Sequence, residues 1–213
     1  MARRTKEEAQ ATRSHILDSA EQVFERRGVS RTSLHEVAVA AGVTRGAIYW
    51  HFKDKADLFN AMMLRVSLPM EASLQRGAAD ADREPLEHLR QSLLRALKLA
   101  ATDSQVRRVL EIATHKVEYV DELQAARERK EISRGACLEI FERELRLAMR
   151  RGQIGRRMPA RAAAMGLYGL VDGLLRSWLW DPTAFDLVKF GRQALDTYLA
   201  GLAAPAAKPA NEP

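Results

Sequence analysis

The sequence predicts an all-α protein of about nine helices, with a small N-terminal head and a larger helical body. Apolar residues recur at helical spacing along most of the 213 residues, and the prolines and glycines leave long uninterrupted stretches between them. No stretch shows the alternating pattern of a half-buried strand. The hydrophobic content of 46% is enough for a substantial core.

Composition restricts the class of partner and the compartment. A net charge of +6 and a pI near 9.7 favour a polyanionic partner. The positive charge is concentrated in residues 1–6 and in residues 26–55, where six cationic residues accompany two acidic ones. The single cysteine, Cys137, fits a reducing compartment, and neither a secretory leader nor a membrane span is recognisable. We therefore expect a cytoplasmic protein without membrane association.

The first two helices have clear boundaries. Residues 7–27 carry one apolar face, and Gly28 follows where glycine commonly ends a helix. Ser33 and Glu36 have the spacing of a capping box, in which each side chain accepts a hydrogen bond from the other residue's amide. A second helix is therefore predicted over residues 34–41.

The spacing that begins at Leu34 is that of a helix-turn-helix. Ala38 is small enough for two helices to approach, Gly42 can adopt the positive φ of the turn, and Ile48 is apolar and can lock the pair together. The third helix, over residues 45–51, is therefore predicted to enter a DNA groove.

Caps and breakers mark the helices of the body. They predict helices that begin at Asp54, Pro85 and Asp103, a long helix over about 121–151, and two final helices over 160–179 and 184–202, with a polar break at 77–85. The helix over 160–179 is apolar nearly all round, so we expect it to be covered on several sides. The Ala/Pro-rich tail, residues 203–213, is expected to be disordered.

The N-terminal motifs resemble those of the TetR family of transcriptional regulators. The family pattern stands here as Thr32-Ser33, Ala41-Gly42-Val43-Thr44 and Tyr49-Trp50-His51-Phe52-Lys53-Asp54-Lys55. Residues 4–9, 115–116, 150–153 and 171–175 are similar to the branch that represses multidrug efflux pumps, which includes AcrR and TtgR. The resemblance covers nearly the whole chain and is strongest over residues 1–60.

The resemblance implies a bacterial, ligand-responsive repressor and not an enzyme. A DNA-binding head over residues 1–55 and an effector-binding and dimerisation body over residues 56–202 are expected. The homodimer would form through the last two helices and bind a near-palindromic operator in double-stranded DNA, which associates the protein with the nucleoid. A small hydrophobic or aromatic effector would release the DNA, and no cofactor is expected.

The predicted DNA contacts surround the third helix. Arg45 is expected to read a base, because a guanidinium group pairs bidentately with guanine, while Tyr49 and His51 are suited to phosphate contacts. The full predicted set is Arg3, Arg4, Ser33, His35, Thr44, Arg45, Gly46, Ala47, Tyr49, Trp50, His51 and Lys55.

Several members of this set have a second interpretation. Ser33 and Thr44 are expected to cap helices first, and His35 is an ambiguous surface residue. Trp50, together with Phe52, is expected to pack the head. Arg3 and Arg4 fit either a minor-groove contact or a disordered basic arm.

The effector cavity is implied by the resemblance. Its predicted lining is Leu89, Leu93, Ala96, Leu110, Thr114, Cys137, Phe141, Tyr168, Val171, Asp172, Leu175 and Arg176. Each apolar member alone also suits plain core packing. Asp172 and Arg176, four residues apart on an apolar helix, fit either a mutual salt bridge or the polar end of the cavity. Where related multidrug binders have asparagine and histidine, this chain has Leu110 and Thr114, which implies a drier pocket.

Three rival functions can be set against this interpretation. A TetR-type regulator of a metabolic or catabolic operon would have the same head, and a sequence-neutral architectural DNA binder would lack the large apolar body. A helical enzyme with an apolar substrate pocket would need a nucleophile–base pair or a phosphate-binding loop, and neither is found. Glu111, His115 and Glu118 share a helix face without a partner motif elsewhere, so no metal site is expected.

Overall fold

A computed structural model of the chain describes residues 2–75, 84–118 and 121–203. Over these residues the chain forms nine α-helices and one short 3-10 helix, Asp121–Leu123, and has no strand. The α-helices are α1 Ala2–Arg27, α2 Leu34–Ala40, α3 Arg45–His51, α4 Lys55–Gln75, α5 Pro85–Thr102, α6 Ser104–His115, α7 Gln124–Arg150, α8 Ala160–Trp180 and α9 Leu187–Ala203. The predicted all-α class is confirmed.

Most predicted boundaries lie within a few residues of the observed ones. The Asp54 carboxylate accepts the Asp57 amide at 2.8 Å and so caps α4, and Asp103 caps α6 in the same way. Helix α1 begins at Ala2, before the predicted residue 7, because residues 2–6 contain no helix breaker. The predicted break at 77–85 falls mainly, and the tail after residue 203 wholly, outside the described residues.

The chain divides into two compact units. The first unit comprises Met1–Pro69 and Asp103–Ser133, and the second comprises Met70–Thr102 and Arg134–Pro213. Helices α4 and α6 thus cluster largely with the N-terminal head, and the contacts do not divide at the predicted functional boundary of residue 55. That boundary remains a prediction about function.

In the first unit, α1 packs against both α2 and α6, and α2 packs against α3. The largest buried side chains of this unit are Phe24, Phe52, Phe59, Ile16, Leu17, Ile48, Leu58, Met62 and Ile112. One buried acid also joins its helices: the Glu21 carboxylate on α1 accepts hydrogen bonds from Arg65 on α4 at 3.2 Å and Gln105 on α6 at 3.0 Å. Burial raises the pKa of Glu21 above its usual value, and these partners offset part of the effect.

In the second unit, α9 packs against α5 and α8. Arg90 on α5 and Asp196 on α9 form a salt bridge at 2.5 Å, and the Tyr198 hydroxyl donates to the Ala163 carbonyl on α8 at 2.8 Å. Gly191 permits the close α5–α9 crossing, because an added Cβ would overlap the Leu97 side chain and would force that side chain to move. These contacts fix α9 between its two neighbours.

The burial of helix α8 differs from the prediction. Ala163, Leu167 and Trp178 are buried, but Met165 and Trp180 are 44% and 79% exposed. One face of this apolar helix is therefore uncovered within the chain, so the expected coverage on several sides is not provided by the chain itself.

Candidate nucleic-acid interface and effector-binding residues

The turn before α3 is built as the sequence predicts. Gly42 has a φ of +63°, a conformation that glycine adopts at little cost, and the Val43 amide donates to the Ala38 carbonyl at 3.0 Å. The Thr44 hydroxyl then accepts the Ala47 amide at 3.1 Å, which caps α3. Ile48 is fully buried and anchors the helix. The predicted helix-turn-helix is confirmed.

The opposite face of α3 is available to a ligand. Arg45, Gly46 and Tyr49 are exposed, and Ala47 is half-buried. The Arg45 guanidinium lies 5.7 Å from the centre of the Tyr49 ring, so the ring supports the guanidinium from one side. A supported guanidinium beside a phenol offers the donors that bases and phosphate oxygens accept.

The two aromatic residues expected to pack the head behave differently. Phe52 is 1% exposed and belongs to the core, as predicted, whereas Trp50 is 72% exposed. The Trp50 ring stands edge-on to the His51 ring, with centroids 4.5 Å apart. The packing role expected for Trp50 is therefore wrong, and its indole remains on the surface beside Tyr49.

His51 lies at the end of α3 in a half-buried position. Burial lowers the pKa of His51 below its usual value, and the positive charge of Arg13 lowers it further. The Arg13 guanidinium itself sits 4.9 Å above the centre of the Phe52 ring. His51 is therefore neutral near pH 7 and can donate a hydrogen bond to a phosphate without carrying a full charge.

Lys55 is the member of the predicted DNA-contact set whose surroundings differ most from expectation. Its side chain is only 5% exposed, and its ammonium group is 2.8 Å from the Glu122 carboxylate. It also donates to the Ser30 carbonyl at 3.1 Å. A phosphate cannot reach this ammonium group in the observed conformation, so we correct the expectation that Lys55 adds charge to the DNA surface.

The remaining predicted DNA-contact residues lie around the start of α2 and in α1. Ser33 accepts the Glu36 amide at 3.3 Å and donates its own amide to Glu36 at 2.8 Å, which confirms the capping box. His35 is exposed on α2. Arg3 and Arg4 lie in the first turn of α1, so the disordered arm is not observed.

The predicted effector residues are distributed over both units. Leu110 and Thr114 lie half-buried on α6 in the first unit. In the second unit Leu89, Leu93 and Phe141 are buried, whereas Ala96, Cys137, Tyr168, Val171, Asp172 and Leu175 are half-buried and Arg176 is exposed. Within that unit Cys137, Tyr168, Asp172 and Arg176 lie close enough to influence one another.

The pKa of Tyr168 shows the influence of these neighbouring residues. Burial raises the pKa of Tyr168 above its usual value, and the neighbouring Asp172 and Cys137 add to the increase, while Arg176 opposes it. Asp172 and Arg176 form a salt bridge at 2.6 Å along α8. The mutual salt bridge is therefore observed, and the pair lies close enough to Tyr168 to affect the pKa of its phenol.

A cavity inside the first unit was not predicted from the sequence. It has a volume of about 100 Å³. Its lining is Phe59, Asn60, Met63, Leu64 and Ser67 of α4, Ala113 of α6, and Ala126, Arg129, Lys130 and Ser133 of α7. The available signal was the small size of Ala113 and Ala126, which face the large side chains of α4. No predicted effector residue lines it.

Helices α2 and α3 are both capped and are joined by a turn at Gly42, and α3 exposes a basic and an aromatic side chain. These features define a helix-turn-helix DNA-binding protein. Residues 16–62 match the model of the bacterial regulatory proteins of the tetR family, and residues 84–203 match the C-terminal region of the MAATS-type transcriptional repressors. The chain belongs to the TetR family of transcriptional regulators. Members of this family bind DNA and act as dimers. The family and the relatives of this chain are transcriptional regulators and not enzymes.

Individual relatives support the same assignment over nearly the full length. The chain is 41% identical over 204 residues to the transcriptional repressor BepR of Brucella suis, covering 96% of this chain and 98% of that one. The crystal structure of NalD, the secondary repressor of the MexAB-OprM multidrug efflux pump in Pseudomonas aeruginosa, superposes with a TM-score of 0.84 at 37% identity, covering 92% and 98% of the two chains. A SmeT–triclosan complex superposes with a TM-score of 0.81 at 33% identity, covering 95% and 99%.

None of the helices in the described ranges has the length and hydropathy of a membrane span.

Proposed function

We propose that this chain represses a multidrug efflux pump operon and releases its operator when a hydrophobic effector binds the helical body. The observation that carries the proposal is the exposed Arg45–Tyr49 face of α3 on a chain similar throughout to NalD and SmeT, which are described as repressors of such pumps. The operator is double-stranded DNA in the bacterial cytoplasm.

The uncovered helix faces support dimerisation through α8 and α9. On α8, Ala162, Met165, Gly169, Gly173 and Trp180 are exposed and fall on one stripe at helical spacing, which also includes the exposed Arg176. On α9, Phe190 is 48% exposed, and Thr197 and Gly201 follow on the same face. Such stripes of small and apolar residues fit a bundle of four helices, two from each subunit.

The predicted effector residues of the second unit fit an aromatic, largely apolar compound. The phenol of Tyr168 and the salt bridge between Asp172 and Arg176 supply polar groups beside Val171 and Leu175. The cavity of the first unit, at about 100 Å³, is smaller than the cavity of about 150 Å³ that holds benzene and the roughly 300–1,000 Å³ of typical ligand sites. A drug-sized effector therefore needs more room than this cavity offers, so we place the proposed site at the second-unit residues.

The repressor function is tested by selecting bound fragments from random DNA duplexes. A regulator of this kind enriches an inverted repeat whose half-sites are related by the two-fold axis of the dimer. Enrichment of no repeat would contradict it. A repeat found upstream of a metabolic operon, and not of a pump operon, would favour the metabolic alternative.

The effector site is tested on the preformed operator complex with a panel of hydrophobic antimicrobials that includes triclosan. We expect release by at least one compound, weakening operator binding by roughly 5–150-fold. Val171→Trp fills the proposed second-unit site and should abolish that release. Ala126→Phe, which fills the first-unit cavity, is the matched control. Loss of release in Ala126→Phe alone would move the site to that cavity.

A further inference from the structure

A buried cation joins three separate segments of the first unit. Lys55 begins α4, Ser30 belongs to the turn before α2, and Glu122 lies in the 3-10 helix before α7. The Lys55 ammonium lies 3.1 Å from the Ser30 carbonyl oxygen and 2.8 Å from the Glu122 carboxylate. The Lys55 side chain is only 5% exposed, so removing the Glu122 carboxylate leaves a buried cation without its counter-ion, whereas Glu122 itself is 57% exposed. The buried ammonium group and its two partners therefore restrain the three segments.

Backbone contacts reinforce the same junction. The Val29 amide donates to the Lys116 carbonyl at 2.8 Å, the Ser30 hydroxyl donates to the Glu118 carbonyl at 3.2 Å, and the Glu118 amide donates to that hydroxyl at 3.3 Å. Residues 28–30 are therefore fastened to the chain that follows α6, independently of the ion pair.

The junction holds both ends of the helix-turn-helix. Ser30 precedes α2, and Lys55 follows α3, so the ion pair and its carbonyl contact bracket the whole DNA-binding motif. The exposed face of α3 enters a groove in a single orientation. That orientation requires α2 and α3 to have a fixed position relative to the rest of the first unit. The contacts of Ser30 and Lys55 restrain both ends of the helix-turn-helix and so fix this position.

We propose that Lys55 and Glu122 are positioning residues for operator binding, which act by fixing the helix-turn-helix and not by touching DNA. The proposal rests on the DNA binding of the family and does not depend on which operon is controlled. Lys55 belongs to the motif that follows the recognition helix, but its ammonium group is buried, and Glu122 lies outside that motif. Both residues would therefore act on DNA binding through the position of the helix-turn-helix.

The test is a double-mutant cycle on operator affinity, measured by fluorescence anisotropy over a range of salt concentrations. Lys55→Met and Glu122→Gln remove one charge each with little change of shape, and the third variant carries both. We expect each single variant to weaken operator binding about tenfold and the double variant to lose little more, because the second change removes nothing further. The slope of log affinity against log salt should stay unchanged in Lys55→Met.

Three results would overturn the proposal. A salt slope shallower by about one in Lys55→Met would mean that the ammonium contacts a phosphate. Tighter operator binding in Glu122→Gln would mean that Glu122 competes with DNA for Lys55. Unchanged affinity in both single variants would mean that the pair does not position the motif.

A matched control separates these outcomes from a general charge effect. Glu118→Gln removes the same charge from the same stretch of chain, but Glu118 contacts Ser30 through its backbone. Its operator affinity should therefore equal that of the parent within a factor of about two. Thermal unfolding is recorded for every variant. Because Glu122 is 57% exposed, we expect Glu122→Gln to fold. If Lys55→Met does not fold, the operator affinity of Glu122→Gln still tests the proposal.

Discussion

The exposed faces of α3 and α8, which we propose contact DNA and a second subunit respectively, differ in their chemistry. On α3 the exposed side chains are long donors and aromatic rings, Arg45, Tyr49 and Trp50, mounted on a helix of seven residues. On α8 most of the exposed residues are small or apolar, with Gly169 and Gly173 in the centre of a helix of 21 residues, and Arg161 and Arg176 are the charged exceptions. The first surface reaches outward, and the second permits close approach.

This difference shows that the exposed residues of a helix indicate which kind of partner it binds. A polyanion is recognised by side chains that extend to oxygen atoms and base edges, so the supporting helix needs only to be short and well capped. A second helix is recognised by shape, so the supporting helix needs length and few projecting atoms. Substitutions on each face should therefore fail in different ways.

The largest effect is expected on α8, from Gly173→Glu. An added Cβ at Gly173 meets no atom within 4 Å in the chain, so a single subunit tolerates the change. At a dimer interface the carboxylate would be buried without a partner, at a cost of about 3 kcal/mol or more, which is at least a hundredfold in the dimerisation constant. Analytical ultracentrifugation and operator titration should show a monomer with poor DNA binding.

Gly135→Glu is the matched control, because Gly135 also lies within a helix and its Cβ would also meet no atom within 4 Å. Replacing either glycine should raise the intrinsic helix stability by roughly 0.5–1 kcal/mol. A Gly173→Glu protein that remains dimeric at the parent concentration would show that α8 is not the interface.

A smaller effect, confined to DNA, is expected from Arg45→Ala. Loss of a bidentate contact should weaken operator binding by roughly 1–3 kcal/mol and relax the preference at one base pair in each half-site. Dimerisation should be unaffected. Arg107→Ala, on an exposed position of α6, removes the same charge and serves as control. Unchanged sequence preference in Arg45→Ala would assign Arg45 to a phosphate.

Local patterns predicted most of the helix-turn-helix. Caps and a positive-φ glycine depend on residues a few positions apart, so Ser33, Gly42 and Thr44 could be assigned from sequence, and the structure confirms their local roles. Their predicted contacts with DNA remain predictions. The same local reasoning gave α8 its length and apolar character.

Tertiary neighbours decided what sequence could not predict. Lys55 was expected at the DNA surface because its motif lies next to α3, but its side chain is buried and its ammonium group pairs with Glu122, which comes from a distant part of the chain. Trp50 and Phe52 are aromatic residues two positions apart, and only the tertiary packing of the head determines that Phe52 is buried and Trp50 is exposed. Apolar character alone also did not reveal which face of α8 stays uncovered.

The smallest effect concerns pH and His51 at the end of α3. Burial and Arg13 hold the pKa of His51 below its usual 6.5, so the imidazole of the DNA-free protein is neutral near pH 7. A phosphate beside it favours the charged form and raises its pKa in the complex. The complex then binds more protons than the free protein, so operator affinity should rise as pH falls from about 7.5 through 6.5.

The rise assigned to His51 should be about two- to fivefold, since a partly exposed ion pair contributes about 0.5–1 kcal/mol. Operator titrations of the parent, His51→Gln and His88→Gln across this range measure it. His51→Gln should flatten the profile, whereas His88→Gln, on α5 and outside the predicted DNA contacts, should follow the parent. Because the lowered pKa also costs folding stability as the pH falls below 6.5, circular dichroism must show folded protein at each point. A parent-like rise in His51→Gln would remove His51 from the phosphate contacts and leave Tyr49 as the donor at the end of α3.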